Sequence, residues 1–287
     1  MARIVAGVGC SHVPAVGAAI DKGIVGDPYW APYFAKIAPA REWMAGADPD
    51  VCIVVYNDHA SAFSLQLIPT FALGLAAEFP PADEGYGPRP VPTVAGHPEL
   101  AWHLAESLIL DEFDLTLVNE MAVDHGLTVP LSVLFGQPDA WPCRVVPLCV
   151  NVVQYPPPTG HRCYRLGQAL RRAVESYEGD ERVVVVGTGG MSHQLHGQRA
   201  GLVNVEFDHA FLDGLVADPD AVARISHLDY LREAGSEGIE LVMWLVMRGA
   251  LSVQVREVHR ATHVPTSNTH NGLLVLEDSP PKSNSSA

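Results

Sequence analysis

Short apolar runs of strand length recur along this chain, and segments with helical periodicity separate them. Continuous runs of Val, Ile and Leu are typical of buried strands, and strands that alternate with helices are typical of α/β folds. The strand-like runs are residues 4–8, 51–56, 115–118, 145–153, 183–186, 253–258 and 273–276. The helical segments are residues 29–44, 98–112, 165–177, 205–216 and 237–248. We therefore predict an α/β fold with a central, mostly β-sheet core flanked by helices.

The length and composition of the chain favour one folded domain. Its 287 residues are 48% hydrophobic and 18% charged, which is enough apolar surface for a sizeable core. We find no internal repeat and no interdomain linker, and predict a single domain over residues 1–278. The Ser- and Pro-rich residues 279–287 predict a disordered tail. The Pro- and Gly-rich residues 79–96 are either a surface connection or a lid or interface element, and the sequence leaves both open.

Charge and cysteine content exclude several classes of protein. A formal net charge of −15 argues against a nucleic-acid backbone or an anionic membrane as the main partner. The five cysteines are odd in number and show no C-x-x-C spacing, so we expect no disulfide framework and a reducing, cytoplasmic location. The N-terminal apolar run has only the length of a strand, so we expect neither a signal peptide nor a membrane span.

Histidines follow two of the predicted strands. His12 comes after residues 4–8, and His59 comes after residues 51–56. In α/β sheets, ligands bind at the carboxyl ends of strands, so we expect the two imidazoles to share a site there. Glu237 and Glu240 both compete to add a carboxylate, because residues three apart at a helix start share one face. Two histidines and one carboxylate form the set that leaves half of an octahedral Fe(II) ion open for substrate and O₂.

Other interpretations of these residues remain open. Each histidine alone could be a satisfied polar residue at a strand end. A zinc hydrolase would use the same His-His-Glu set with an activated water. A non-catalytic binding protein with this fold would bind no metal at all. If the set does bind metal, the adjacent Ser11 and Asp58 are the partners that we expect to fix the orientation of the two rings.

Further polar residues could carry proton transfer or bind substrate. His193 follows the Gly-rich turn after residues 183–186, and the ordinary pKa of a histidine suits a general base. His125, in an Asp-His-Gly turn, is a second candidate, which a structural role explains equally well. Ser267 and Asn268 offer hydroxyl and amide donors, although a turn or a helix cap also explains them.

Five stretches of this sequence resemble a known family. They are residues 56–63, 81–92, 123–126, 187–194 and 235–244. The chain is similar to the catalytic β subunits of protocatechuate 4,5-dioxygenases, within the class III extradiol ring-cleaving dioxygenases, from its start to about residue 276. Matches of this length are far more specific than a short motif.

The resemblance implies an activity and a metal site. It implies cleavage of the ring of a catecholic acid by O₂, with protocatechuate cut at the 4,5 bond as the first expectation and gallate or a methylated gallate as alternatives. It implies that His12, His59 and Glu240 bind Fe(II), which decides against Glu237. It further implies that His193 is the acid/base of the active site.

The resemblance also implies roles for substrate contacts and for a partner. His125 would help to position substrate or O₂, and Ser267 and Asn268 would hold the carboxylate of the substrate. A separate small α subunit would cover the site in an α₂β₂-type assembly.

Three positions depart from the family pattern. Cys10 stands where Ser or Thr is usual, and a thiol near iron could make the site sensitive to oxygen. Thr266 and His270 stand near the Ser267-Asn268 pair where alanine is expected, although the residue pattern alone marks His270 as ordinary. These departures leave the reaction class unchanged and leave the preferred catechol open.

Overall fold

A mixed β-sheet forms the centre of the molecule in a computed structural model, which describes residues 1–279 apart from the side chains of residues 265 and 266. The strands are β1 Arg3–Cys10, β2 Val51–Tyr56, β3 Phe71–Gly74, β4 Glu78–Phe79, β5 Val94–Ala95, β6 Thr116–Val118, β7 Arg144–Val150, β8 Arg182–Thr188, β9 Val255–Thr266 and β10 Thr269–Asp278. Eight of them form one sheet in the order β6-β3-β7-β2-β8-β1-β10-β9, and β4 pairs with β5 apart from it.

Helices cover both faces of this sheet. They are α1 Pro14–Asp21, α2 Ala31–Ala47, α3 Pro98–Leu110, α4 His125–Phe135, α5 Gly160–Ser176, α6 Val205–Ala217, α7 Pro219–Ala223, α8 His227–Asp229 and α9 Val242–Gly249. A π-helical turn, Tyr230–Ala234, and a 3₁₀ helix, Glu237–Leu241, precede α9.

Alternating side chains of β2 show how the sheet is buried on both faces. Ile53 and Val55 pack into the apolar cluster that contains residues of α3, α5 and α9. Cys52 and Val54 pack into the opposite cluster, with residues of α1, α2 and α4. All four side chains are fully buried, and each aliphatic one contributes about 1.5–3 kcal/mol on leaving water. The predicted single-domain α/β fold is confirmed.

The register of the central strands brings their carboxyl ends to one edge of the sheet. β7, β2, β8 and β1 run parallel, and β3 and β10 flank them antiparallel. Cys10 at the end of β1 pairs with Thr188 at the end of β8, and Val55 of β2 pairs with Gly187. The carboxyl ends of β1, β2 and β8 therefore lie side by side. A shared site for the histidines that follow these strands requires this arrangement.

Several elements differ from the sequence prediction. The predictions missed β3, α1 and α4, and the predicted helix 237–248 begins as the 3₁₀ helix before it continues as α9. Residues 79–96 are not structureless, because they connect the paired strands β4 and β5 and Asp83 accepts hydrogen bonds from the N–H groups of Gly85 and Gly87. Of the predicted tail, residues 280–287 lie outside the described residues.

All five cysteines are buried and none forms a disulfide. Within residues 1–279, every helix is too short or too polar to span a bilayer.

Candidate active site

A cavity of about 540 Å³ opens at the carboxyl edge of the central strands. Its lining includes His12, His59, His125, His193 and Glu240. The ring nitrogens of the first three lie within 4.8 Å of one another, so this group could hold a metal ion. The structure thus brings together the histidines that the sequence placed after separate strands.

The end of the neighbouring strand fixes the ring of His12. Its Nδ1 lies 3.1 Å from the hydroxyl of Thr188, and its Nε2 lies 3.3 Å from Oε2 of Glu240. Burial lowers the pKa of His12, which favours the neutral imidazole that metal binding needs. When Nδ1–H donates to Thr188, Nε2 and the Glu240 carboxylate are two electron-pair donors that face each other, an arrangement that suits a shared cation.

Asp124 fixes the ring of His59. Its Oδ2 accepts hydrogen bonds from the main-chain N–H of His59 at 2.6 Å and from Nδ1 at 3.1 Å, while Oδ1 accepts the N–H of Gly126 as the N-cap of α4. Burial alone would raise the pKa of Asp124, but the His59 bond lowers it to about 2. Burial conversely lowers the pKa of His59, and Asp124 outweighs it, so the net shift is upward. Nε2 of His59 lies 3.0 Å from Nδ2 of Asn57 and 4.0 Å from Oε1 of Glu240.

Glycines after β8 allow Glu240 to approach the histidines. The N–H of Gly190 donates to Oε2 of Glu240 at 2.6 Å. Gly189 has a φ of +119°, and a Cβ there would lie 2.7 Å from Cβ of Glu240, so only glycine fits. Burial would raise the pKa of Glu240, but His12, with His193 and His59, holds it well below its usual range. The carboxylate is therefore an anion among imidazoles.

Glu237 lines the same cavity but has other partners. Its Oε2 accepts hydrogen bonds from the N–H of Leu195 at 3.1 Å and from the hydroxyl of Ser236 at 2.6 Å. Glu240, by contrast, lies against His12, His59 and His193.

Backbone contacts hold His193 at the cavity. Its Nδ1 lies 2.7 Å from the carbonyl oxygen of Met191, so Nδ1–H donates there and Nε2 faces Glu240 at 3.8 Å. Its main-chain N–H donates to Ala234 at the end of the π-helical turn. The next residue, Gly235, has a φ of +89°, and a Cβ there would lie 2.2 Å from the carbonyl oxygen of His193. The loop after β8 therefore packs directly against the main chain of Ala234 and Gly235.

His125 is the first residue of α4 and is paired with a residue from the 79–96 segment. The carboxylate of Glu84 accepts its main-chain N–H at 2.9 Å and also bonds its Nδ1. The ring of His125 stacks on that of His59, with centroids 4.0 Å apart. Burial would raise the pKa of Glu84, but the His125 bond lowers it. The 79–96 segment therefore contributes directly to the site.

Ser267 and Asn268 form the turn between β9 and β10. Their φ angles are +54° and +60°, as in the two-residue type I′ turns of hairpins. Both residues are exposed, and Ser267 and the following Thr269 line the cavity. The sequence left a turn and a helix cap open for these two residues, and the structure shows a turn, on the same side of the molecule as the histidines.

Two predicted ring partners are wrong. Ser11 exchanges hydrogen bonds with Gly272 of β10, and Asp58 accepts the N–H groups of residues 61–63. Residues next to a histidine in sequence point away from its ring, so the partners come from elsewhere: Thr188 from the adjacent strand and Asp124 from a helix N-cap. The Asp-His-Gly motif contained the signal for Asp124, because Asp is a favoured N-cap.

Cys10 is shielded from the cavity. Its thiol is buried in the apolar cluster with α1 and α2, and it contacts the carbonyl oxygen of Ser11. Burial raises the pKa of Cys10 to about 12, so it remains a protonated thiol at neutral pH.

Comparison with known proteins assigns a family. The model of the family described as the catalytic LigB subunit of aromatic ring-opening dioxygenase matches residues 6–272. The gallate dioxygenase of Pseudomonas putida is 47% identical over 197 residues, which are 69% of this chain and 58% of that protein. The 2,3-dihydroxyphenylpropionate/2,3-dihydroxicinnamic acid 1,2-dioxygenase of Klebsiella pneumoniae is 34% identical over 188 residues, 64% of this chain and 55% of that one. The matches thus span little more than half the length of these relatives.

A solved structure has the same fold. It is that of an uncharacterized protein from Escherichia coli K12, with a TM-score of 0.56 and 16% sequence identity, and the match covers 96% of this chain and all of the other.

Proposed function

Because the chain belongs to the family of catalytic LigB subunits of aromatic ring-opening dioxygenases, we propose that it is an Fe(II)-dependent extradiol dioxygenase of a catecholic acid. The observation that carries the proposal is the convergence of His12, His59 and Glu240 in one cavity. Thr188 and Asp124 occupy the Nδ1 atoms, and the Nε2 atoms of His12 and His59 lie 3.3 and 4.0 Å from the anionic carboxylate. This donor set is the one that binds non-haem Fe(II) in oxygenases.

The residues present fit a bound iron and have separate roles around it. When bound, Fe(II) would hold the two vicinal hydroxyls of the substrate and O₂ side by side and allow electron transfer between them. His193 would take a proton from a ring hydroxyl at Nε2, because its Nδ1–H is engaged with Met191. His125 would contact substrate or O₂ from the other wall, with Glu84 holding its ring. Ser267 and Asn268 would bind the carboxylate of the substrate.

The proposed substrate is a catechol with a ring carboxylate. Protocatechuate, cleaved at the 4,5 bond, is the first candidate because of the resemblance in sequence. Gallate is the second, because a relative with 47% identity is a gallate dioxygenase. Both present a vicinal hydroxyl pair and a ring carboxylate, and gallate differs only by carrying a third ring hydroxyl.

A small α subunit in an α₂β₂-type assembly remains part of the proposal. Exposed apolar side chains support it, since exposed apolar surface marks interaction sites: Leu67 and Val153 line a common pocket, and Leu195 is exposed as well. Val153 and Leu195 also line the cavity. A cytoplasmic location likewise stays a prediction.

The proposal is tested by loading the chain anaerobically with Fe(II) or with Zn(II) and measuring O₂ uptake on protocatechuate, gallate and catechol. We expect O₂ uptake only with Fe(II), and faster with the two acids than with catechol. Hydrolysis of an ester or amide by the Zn(II) form, without O₂ uptake by the Fe(II) form, would favour the zinc hydrolase instead.

A further inference from the structure

A buried carboxylate outside the cavity connects two segments that line it. Asp208, in the first turn of α6, is completely buried. Its oxygens accept hydrogen bonds from the main-chain N–H of Ser192 at 3.0 Å, from the Ser192 hydroxyl at 2.5 Å and from Nδ1 of His270 at 2.6 Å. Among the described residues, its ion-pair partner is His270 alone. A buried carboxyl group with this much hydrogen bonding holds its partners in one arrangement.

The two partners of Asp208 lie next to residues of the active site. Ser192 directly precedes His193, and His270 follows Thr269 at the start of β10. The two segments pair as a short antiparallel ladder, with a bridge between His193 and Thr269 and a hydrogen bond from the N–H of His270 to the carbonyl oxygen of Ser192.

Alternation along these extended segments separates the two sets of side chains. His193 and Thr269 face the cavity, where both approach Gly190. Ser192 and His270 point the other way, to Asp208 on α6. The Ser192 hydroxyl also accepts the N–H of Asn204, the N-cap of α6, so the helix start fixes the ladder from behind.

We propose that Asp208 and His270 are a positioning pair that sets the spacing between His193 and the Ser267–Asn268 turn, and so selects catechols that carry a carboxylate. The inference rests on the proposed function, in which His193 is the acid/base and the turn binds the carboxylate. The hairpin reaches Asp208 through the His270 side chain, two residues beyond the turn. Without this bond, the hydrogen bonds between the hairpin and the His193 loop in the described part of the chain would be backbone ones.

The test compares steady-state kinetics on protocatechuate and on catechol for His270→Leu and His270→Asn, each loaded with Fe(II). The leucine removes the donor, whereas the asparagine keeps an N–H close to the position of Nδ1. We expect His270→Leu to raise KM for protocatechuate about tenfold, the scale of a lost charged hydrogen bond, and to leave KM for catechol and the iron content unchanged. We expect His270→Asn to behave as the parent chain.

His209→Ala is the matched control. His209 is exposed and its ring lies 6.1 Å from that of His270, yet it makes no hydrogen bond to Asp208 in the described part of the chain. It should change neither KM. Asp208→Asn should lower kcat on both substrates, because Ser192 beside His193 then loses its carboxylate acceptor.

Three results would overturn the positioning role: equal changes in KM for both substrates, an asparagine variant as impaired as the leucine variant, or an unchanged KM for protocatechuate. If His270→Leu does not fold, Asp208→Asn decides, because it weakens the same bond: a KM for protocatechuate that is unchanged, or that changes as much as the KM for catechol, overturns the proposal. If the parent chain consumes no O₂ with protocatechuate and none with catechol, the proposed function itself is wrong.

Discussion

At the scale of single residues, neighbouring side chains set the ring orientation or the charge of each candidate ligand. Thr188 directs the ring of His12, Asp124 directs that of His59, and the surrounding imidazoles keep Glu240 ionised. A hydrogen-bond partner on the ring nitrogen that does not bind metal fixes the tautomer and raises the basicity of the nitrogen that does.

The first prediction concerns the ligands. His12→Ala, His59→Ala and Glu240→Ala should each lose stoichiometric iron and essentially all ring cleavage, measured by metal analysis and O₂ uptake. Glu237→Ala is the matched control and should keep its iron, because Glu237 is bonded to Leu195 and Ser236 rather than to the histidines. Full iron and activity in Glu240→Ala would show that the ligand assignment is wrong.

The second prediction concerns Asp124→Asn, which should weaken Fe(II) binding by about 10–100-fold near pH 8. The pKa of His59 is raised above 6.5 in the metal-free chain, so protons compete with iron and loading should fall as the pH decreases through that raised value. Removing the Asp124 charge lowers this pKa, so the midpoint of loading should move to lower pH. Asp58→Asn is the control and should change neither quantity; an identical response of both variants would contradict the role of Asp124.

The third prediction concerns His193→Phe. Iron content and substrate binding should persist, because His193 is outside the proposed ligand set, while turnover falls by about 10²-fold or more, the usual scale for a lost general base. The acidic limb of the kcat/KM profile should change as well. Loss of iron would make His193 a ligand, and near-normal turnover with an unchanged profile would leave His125 as the base to test.

At the scale of elements, the site depends on backbone that approaches backbone. The loop after β8 lies between the π-helical turn and the start of β10, with Gly189, Gly190 and Gly235 at the contacts. Side chains at these positions would separate His193 from Glu240.

Gly235→Ala therefore should destabilise the chain and lower turnover. A residue other than glycine at its φ of +89° costs about 1–3 kcal/mol, and the added Cβ would overlap the carbonyl oxygen of His193. Gly23→Ala is the matched control, since Gly23 also has a positive φ, +67°, but has open space around it. Urea unfolding should give the larger loss of stability for Gly235→Ala; equal losses would show that the contact with His193 does not matter.

The elements also show what the sequence could predict. Continuous apolar runs identified β1, β2 and β8, and therefore the positions of His12, His59 and His193. The sequence does not predict helix α4, because all but its last residue are buried and it therefore has no amphipathic period. Pro130 inside the helix also argues against a helix there. The partners Thr188, Asp124 and Glu84 come from distant segments, and sequence adjacency favoured Ser11 and Asp58 instead. Apart from the N-cap signal at Asp124, tertiary pairing of this kind leaves no local pattern in the sequence.

At the scale of the whole molecule, a parallel strand core gathers the chemistry at one edge. β1, β2 and β8 end together, the 3₁₀ helix supplies Glu240, and the β9–β10 turn closes the far wall. The apolar clusters on both faces of the sheet keep these strand ends in register, so the geometry of the site depends on the packing of the sheet.

Extradiol cleavage by this chain is tested most directly by a single turnover under ¹⁸O₂ with the Fe(II)-loaded chain and protocatechuate, followed by mass spectrometry of the product. Extradiol cleavage at the 4,5 bond predicts 4-carboxy-2-hydroxymuconate semialdehyde with both atoms of the O₂ molecule in it, and no product from Glu240→Ala. Gallate replaces protocatechuate in a parallel reaction. A product cleaved between the hydroxyls, a product without label, or no product from either acid would contradict extradiol cleavage by this chain.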